Sequence, residues 1–114
     1  MATFTKIPFS ASTAGEPILI AATTSPGTTV NAQSAGTEVY EVWAWAANQH
    51  TAAVTITIEW GGTTAAFIQK VTIPAQEGLF QIMPGLSCIG AHTFKVFAGT
   101  TNVVNIWGYC HKIA

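Results

Sequence analysis

Ala53-Val54-Thr55-Ile56-Thr57-Ile58-Glu59-Trp60, followed by Gly61-Gly62, decides the fold. Val54, Ile56, Ile58 and Trp60 recur at every second residue, with Thr55, Thr57 and Glu59 between them. A period of two belongs to a strand with one face on a core and the other in water. The branched side chains of Val, Ile and Thr suit that pleated surface. Gly61-Gly62 supply the positive φ angles of a tight hairpin. A second strand is therefore expected over Ala66–Ile73, closed by Pro74.

The same grammar extends both ways. Downstream, Gly78–Met83 reads as a strand ended by Pro84-Gly85, and Leu86–Ile89 as a short one. Thr93–Ala98 follows, then a hairpin loop at Gly99-Thr100-Thr101-Asn102, then a last strand over Asn102–Ile113. That strand sets Val103, Asn105, Trp107 and Tyr109 against Val104, Ile106, Gly108 and Cys110. Upstream, Val39–Ala47 is apolar on both faces, as a central strand is. Phe4–Phe9 and Pro17–Ala22 are two further short strands, and Ser25-Pro26-Gly27 is a turn. Residues 1–36, rich in Ala, Thr and Ser, read either as an extended N-terminal arm or as edge strands. The pattern predicts one all-β domain over residues 1–114, with about eight or nine strands. Two packed antiparallel sheets, jelly-roll or immunoglobulin-like, are expected.

Composition narrows the function. Only 8% of residues are charged: four Lys, five Glu, no Arg and no Asp. A soluble domain usually carries about 25%. A chain of 12.0 kDa folds to roughly 6,000 Å² of surface, so a charge falls on about every 650 Å². Neutral side chains are cheaper to desolvate than charged ones, and so neutral a surface favours association. A net charge of −1 without Arg opposes nucleic acid, whose recognition needs a basic patch. No apolar run nears the ~20 residues that span a bilayer, and Met1–Ser10 is not a secretory leader. Cys88 and Cys110 suit a protein made in a reducing cytoplasm, with their pairing left open.

Chemistry finds few footholds. A Ser-His-Asp triad needs an Asp that is missing, and no Gly-x-Ser-x-Gly elbow occurs. Glu41 and Glu59 could form an acid/base pair, but ordinary alternation on solvated strand faces accounts for both. His50, His92, His111, Cys88 and Cys110 lack the spacing of a metal site; Cys110 and His111, being adjacent, point to opposite faces of a strand. No cofactor is implied. Trp43 and Trp45 share an alternation with Val39, and Trp60 with Val54, Ile56 and Ile58, which makes them core positions by pattern. An exposed Trp would instead serve as a sugar platform or a protein anchor.

Four stretches carry a resemblance: Pro17–Thr23 with Ser25–Thr29, Glu41–Asn48, Thr57–Thr64 and Asn102–Tyr109. In texture and turn placement they resemble small virion proteins of tailed bacteriophages. The resemblance implies a capsid decoration, or cement, protein: a small β-sandwich on the outer capsid that bridges neighbouring major capsid subunits. It also implies a homo-oligomer, trimer or dimer, with an N-terminal arm in some cases, carried on the virion and made in the host cytoplasm. Alternatives are a head–tail connector, a tail structural subunit, or a glycan-binding β-sandwich module. The candidate interface residues are Phe4, Ile7 and Phe9 on the N-terminal segment, and Val104, Ile106 and Tyr109 on the last strand.

Overall fold

The computed structural model describes residues 3–113; Met1 and Ala2, the start of the expected arm, and Ala114 lie outside them. Among the described residues nine strands are formed: β1 (Phe4–Pro8), β2 (Ile18–Leu19), β3 (Thr28–Ala32), β4 (Val39–Asn48), β5 (Val54–Trp60), β6 (Ile68–Ile73), β7 (Phe80–Ile89), β8 (Thr93–Ala98) and β9 (Val104–Ile113). One sheet runs β1-β9-β4-β7, with β2 also paired to β9, and the other runs β3-β8-β5-β6. Every pairing is antiparallel.

The pairs are nested. β5 meets β6, β4 meets β7, β3 meets β8, and β1 meets β9. The chain thus behaves as one long hairpin, rolled so that β4 also pairs β9 and β5 also pairs β8. Its tip is not the expected tight Gly61-Gly62 turn but a loop over residues 61–67 that ends in the 3-10 helix Ala65–Phe67, and of the two glycines only Gly61 has a positive φ. This is the jelly-roll order, which settles the alternative left by the turn signals. Residues 3–36 do not stand off as an arm: β1 and β2 add to β9, and β3 adds to β8. Leu86–Ile89, expected as a separate strand, continues β7 through Pro84-Gly85.

The core lies between the sheets. Val54, Ile56 and Ile58 of β5 enter it as their alternation predicts, beside Phe94 and Val96 of β8. Across the gap, β4 presents Val42, Ala44 and Ala46. Trp43 and Trp45, expected in the core, point outward instead and are half-buried. Phe9 supplies the reason. Its ring fills the space over Gly108, the residue directly paired with Ala44. It also meets Phe94 edge-on at 6.0 Å. A Cβ on Gly108 would strike the Trp43 carbonyl oxygen and come within 3.0 Å of the Phe9 ring. With φ at +151°, the position also favours glycine. Indoles turned inward here would have no room.

Three proposed interface residues are corrected by the same packing. Phe9 is 1% exposed and Val104 and Ile106 are fully buried, so none presents surface to a partner. Glu59 is corrected too. It points to the outer face of the second sheet, yet is only 2% exposed. The Ser25–Gly27 turn folds over it: Ser25 Oγ donates to one carboxylate oxygen and the Gly27 N–H to the other, each at 2.6 Å. Gly27 rests so close to the Val96 backbone that a Cβ would lie 2.6 Å from it. A buried carboxylate is tolerable because donors replace its lost water.

Phe9→Ala should cost about 3–5 kcal/mol, the usual range for truncating a buried aromatic. Urea unfolding of the purified protein measures it; a Phe9 that acted only in an interface would leave the midpoint unchanged.

Candidate functional site

The outer face of the first sheet carries the features that the core does not use. Inward positions on β4 and β9 are taken by Val42, Ala44, Ala46, Val104, Ile106 and Cys110. The alternation therefore sends Glu41, Trp43 and Trp45 outward from β4, and Asn105, Trp107, Tyr109 and His111 outward from β9. Ten paired residues fix the register: Trp45 lies opposite Trp107, Trp43 opposite Tyr109, and Glu41 opposite His111. On the far side, β1 sets Lys6 beside His111 and Pro8 beside Tyr109.

Two local hydrogen bonds orient the indoles. Trp43 Nε1 donates to Glu41 Oε1, and Trp107 Nε1 donates to Asn105 Oδ1, both at 2.7 Å. Each bond joins residues i and i−2 on one face, so the ring is drawn back along its own strand. Trp43 also reaches across to β7, where Gly85 makes room; a Cβ there would come within 2.7 Å of the ring. Gly85 sits at one of two register shifts between β4 and β7, with φ at +83°. Tyr109 is the hub. Its ring centroid lies 6.2 Å from that of Trp45 and 5.3 Å from that of His111, and Lys6 Nζ sits 4.5 Å above it. The His111 ring approaches Glu41 Oε1 at 3.3 Å. The Trp43 N–H and His111 together hold the Glu41 carboxyl below its ordinary value of 4.5.

Beside Tyr109 lies an open pocket of about 420 Å³, walled by Lys6, Ile7, Pro8, Ala14, Gly15 and Gly108. Its loop wall is ordered by Glu16, whose carboxylate accepts from the N–H groups of Thr13 (2.6 Å) and Ala14 (3.1 Å). Those backbone bonds lower the Glu16 pKa. Of the proposed interface residues, Tyr109 belongs to this face. Phe4, 69% exposed, lies at its β1 margin, and Ile7 is half-buried against the core.

Other sequence candidates do not converge. Glu41 and Glu59 lie on different sheets and outer faces, so they cannot act as an acid/base pair. Among the described residues, no three His, Cys or Glu side chains gather as metal ligands would. Both cysteines are free thiols; burial raises the Cys88 pKa and pushes that of Cys110 up to about 12. The outward tryptophans were missed because β4 is apolar on both faces. Glu41, sharing their alternation, was the available signal that this face is the solvated one.

The Trp43–Glu41 bond gives a pH prediction. A lowered folded pKa means that the bond's stabilisation is present above about 4.5 and is lost as the pH falls through the lowered value. The Trp43 indole N–H resonance should shift in a single step below pH 4.5. In Glu41→Gln that step should vanish.

In comparisons with known proteins, no family, no curated protein and no solved structure matches this chain.

Proposed function

We propose that this β-sandwich is a structural surface-binding module that decorates a virus shell, lying on the outer capsid and cementing neighbouring major capsid subunits. The observation that carries the proposal is the aromatic outer face of the first sheet. Trp43, Trp45, Trp107 and Tyr109 stand together there, and the Glu41 carboxylate among them accepts from the Trp43 indole and lies 3.3 Å from the His111 ring. Large aromatic side chains are effective anchors at protein interfaces, and the N–H groups of Trp43 and Trp107 already have partners, so covering these two rings leaves neither N–H unpaired. The sparse charge of the chain lowers the desolvation cost of covering such a face.

The mechanism is linkage. A module that binds a surface present only on the assembled shell adds its binding free energy to that state alone. Repeated over a lattice, modest contacts resist heat and internal pressure. Assembly as a homo-oligomer on a symmetry axis would present several aromatic faces at once. The free thiols fit synthesis in a host cytoplasm, followed by residence on the virion.

A glycan-binding module is the second reading, favoured by one observation: the indoles of Trp43 and Trp107 are held back along their strands by their own hydrogen bonds. Flat, neutral rings flanked by Asn105 and Glu41 suit the apolar face and the hydroxyls of a pyranose. Fluorescence titration with neutral oligosaccharides distinguishes the two functions, because quenching that Trp107→Ser abolishes belongs to the glycan site.

Shells prepared without the protein should form normally but rupture at lower temperature, and adding the purified protein should restore them. Trp45→Ser and Trp107→Ser should each weaken shell binding by about 30-fold, the loss of a ~2 kcal/mol anchor. Shells equally robust without the protein would overturn the proposal.

A further inference from the structure

β9 is paired without interruption on one side only. There β4 runs beside all ten of its residues. On the other side β1 accompanies it from Ile113 back to Tyr109, and β2 only at Ile106 and Asn105. Trp107 and Gly108 lie between, with neither strand beside them. The peptide groups of Gly108 face this break, because groups along a strand turn to its two sides alternately. The Val104 carbonyl turns toward β2 and accepts from the Ile20 N–H, while the Val103 carbonyl turns the other way, to the Gln49 N–H. Gly108 shares the side of Val104.

The open pocket beside Tyr109 occupies the break, with Gly108 in its wall. Lys6 stands in the same wall, its Nζ held 4.5 Å above the Tyr109 ring. Among the described residues the one ion pair joins Glu41 and His111, so the Lys6 ammonium has no carboxylate of its own. The loop wall adds no donor. Its Thr13 and Ala14 N–H groups are spent on Glu16, and that of Gly15 on Ser12 Oγ.

We propose that this pocket binds a hexuronic acid residue of an acidic oligosaccharide, its carboxylate held between the Lys6 ammonium and the Gly108 N–H. The proposal rests on the glycan-binding reading and adds to it a charged subsite. Charge selects the acid. One ammonium and one N–H match a carboxylate, whereas a phosphate carries nearly two charges and three acceptor oxygens, more than these donors serve. The Glu16 carboxylate in the loop wall opposes a second negative charge as well. Size selects the body. At about 420 Å³ the pocket lies at the lower end of the ~300–1,000 Å³ of small-ligand sites, room for a single ring. An Asp or Glu side chain from a protein partner would leave most of that space empty. Pro8 and Ala14 supply apolar wall for the C–H face of a pyranose. Tyr109 and Trp45, with centroids 6.2 Å apart, continue from the pocket across the sheet, where the next sugars of the chain would stack.

Titration calorimetry of the purified chain with tetragalacturonate and with its methyl ester tests the proposal, because the ester keeps the sugar chain and removes its charges. The acid should bind roughly tenfold more tightly, the worth of a charge-assisted hydrogen bond, and at saturation it should shift the Gly108 amide resonance. Lys6 is an exposed residue of an edge strand, so Lys6→Gln keeps the fold. In that variant the acid should fall to the affinity of the ester, and the ester should bind as before. Equal binding of acid and ester, an acid preference that Lys6→Gln retains, or an unmoved Gly108 amide would each overturn this inference and leave glycan binding standing. Tighter binding of hexaglutamate than of the tetramer would overturn the sugar as occupant. Failure of both acid and ester to bind would overturn the glycan reading together with it.

Discussion

The ring of Phe9 rests over Gly108, which pairs with Ala44 across β4 and β9, and much of the first sheet is arranged around that contact. It joins the N-terminal segment to the last strand, the most distant pairing that the chain makes. It also requires small residues at the centre of β4 and β9, because the ring occupies the volume that larger side chains would claim. Truncating it would open a cavity where two sheets and three strands meet. The outward position of Trp43 and Trp45 is the other side of the same constraint: with the interior reserved for Phe9, the bulky members of β4 have only the outer face.

A second consequence concerns charge. Three of the five glutamates spend their carboxylates on the protein itself. Glu16 ties its own loop, Glu41 holds the Trp43 indole and meets His111, and Glu59 secures the Ser25–Gly27 turn. Of the three, only Glu59 is also withdrawn from the surface, being 2% exposed. Glu59 also shows how a loop can be fastened to a sheet face without apolar burial: two short hydrogen bonds to a desolvated carboxylate do it, provided that Gly27 lets the backbones approach. The result is a molecule whose second sheet is covered on its outer side at Glu59, with Thr55 and Thr72 left exposed, and whose first sheet has an open aromatic face.

The two exposed features answer different physical needs. The aromatic face is flat and internally hydrogen-bonded, suited to being covered by a broad surface. The break beside β9 offers one ammonium and one backbone N–H in a small pocket, suited to a single carboxylate.

By itself, the sequence determined the class of fold and most of its strands. The alternation of Val54, Ile56, Ile58 and Trp60, and turn residues such as Gly61-Gly62, are local properties that act through φ/ψ preference and the period of two. Tertiary structure decided what local pattern leaves degenerate. β4 and β9 are apolar on both faces, so periodicity could not say which face of β4 is buried; the volume of Phe9 over Gly108 decided it. Val104 and Ile106 looked as available as Trp107 and Tyr109 until β1 and β4 fixed the two sides of β9. Glu59 reads as solvated because its cover comes from residues some thirty positions away, and loop closure over that distance leaves no periodic trace. The sequence thus determined a sparsely charged chain of alternating strands, while only the packing decided which face and which edge are left exposed.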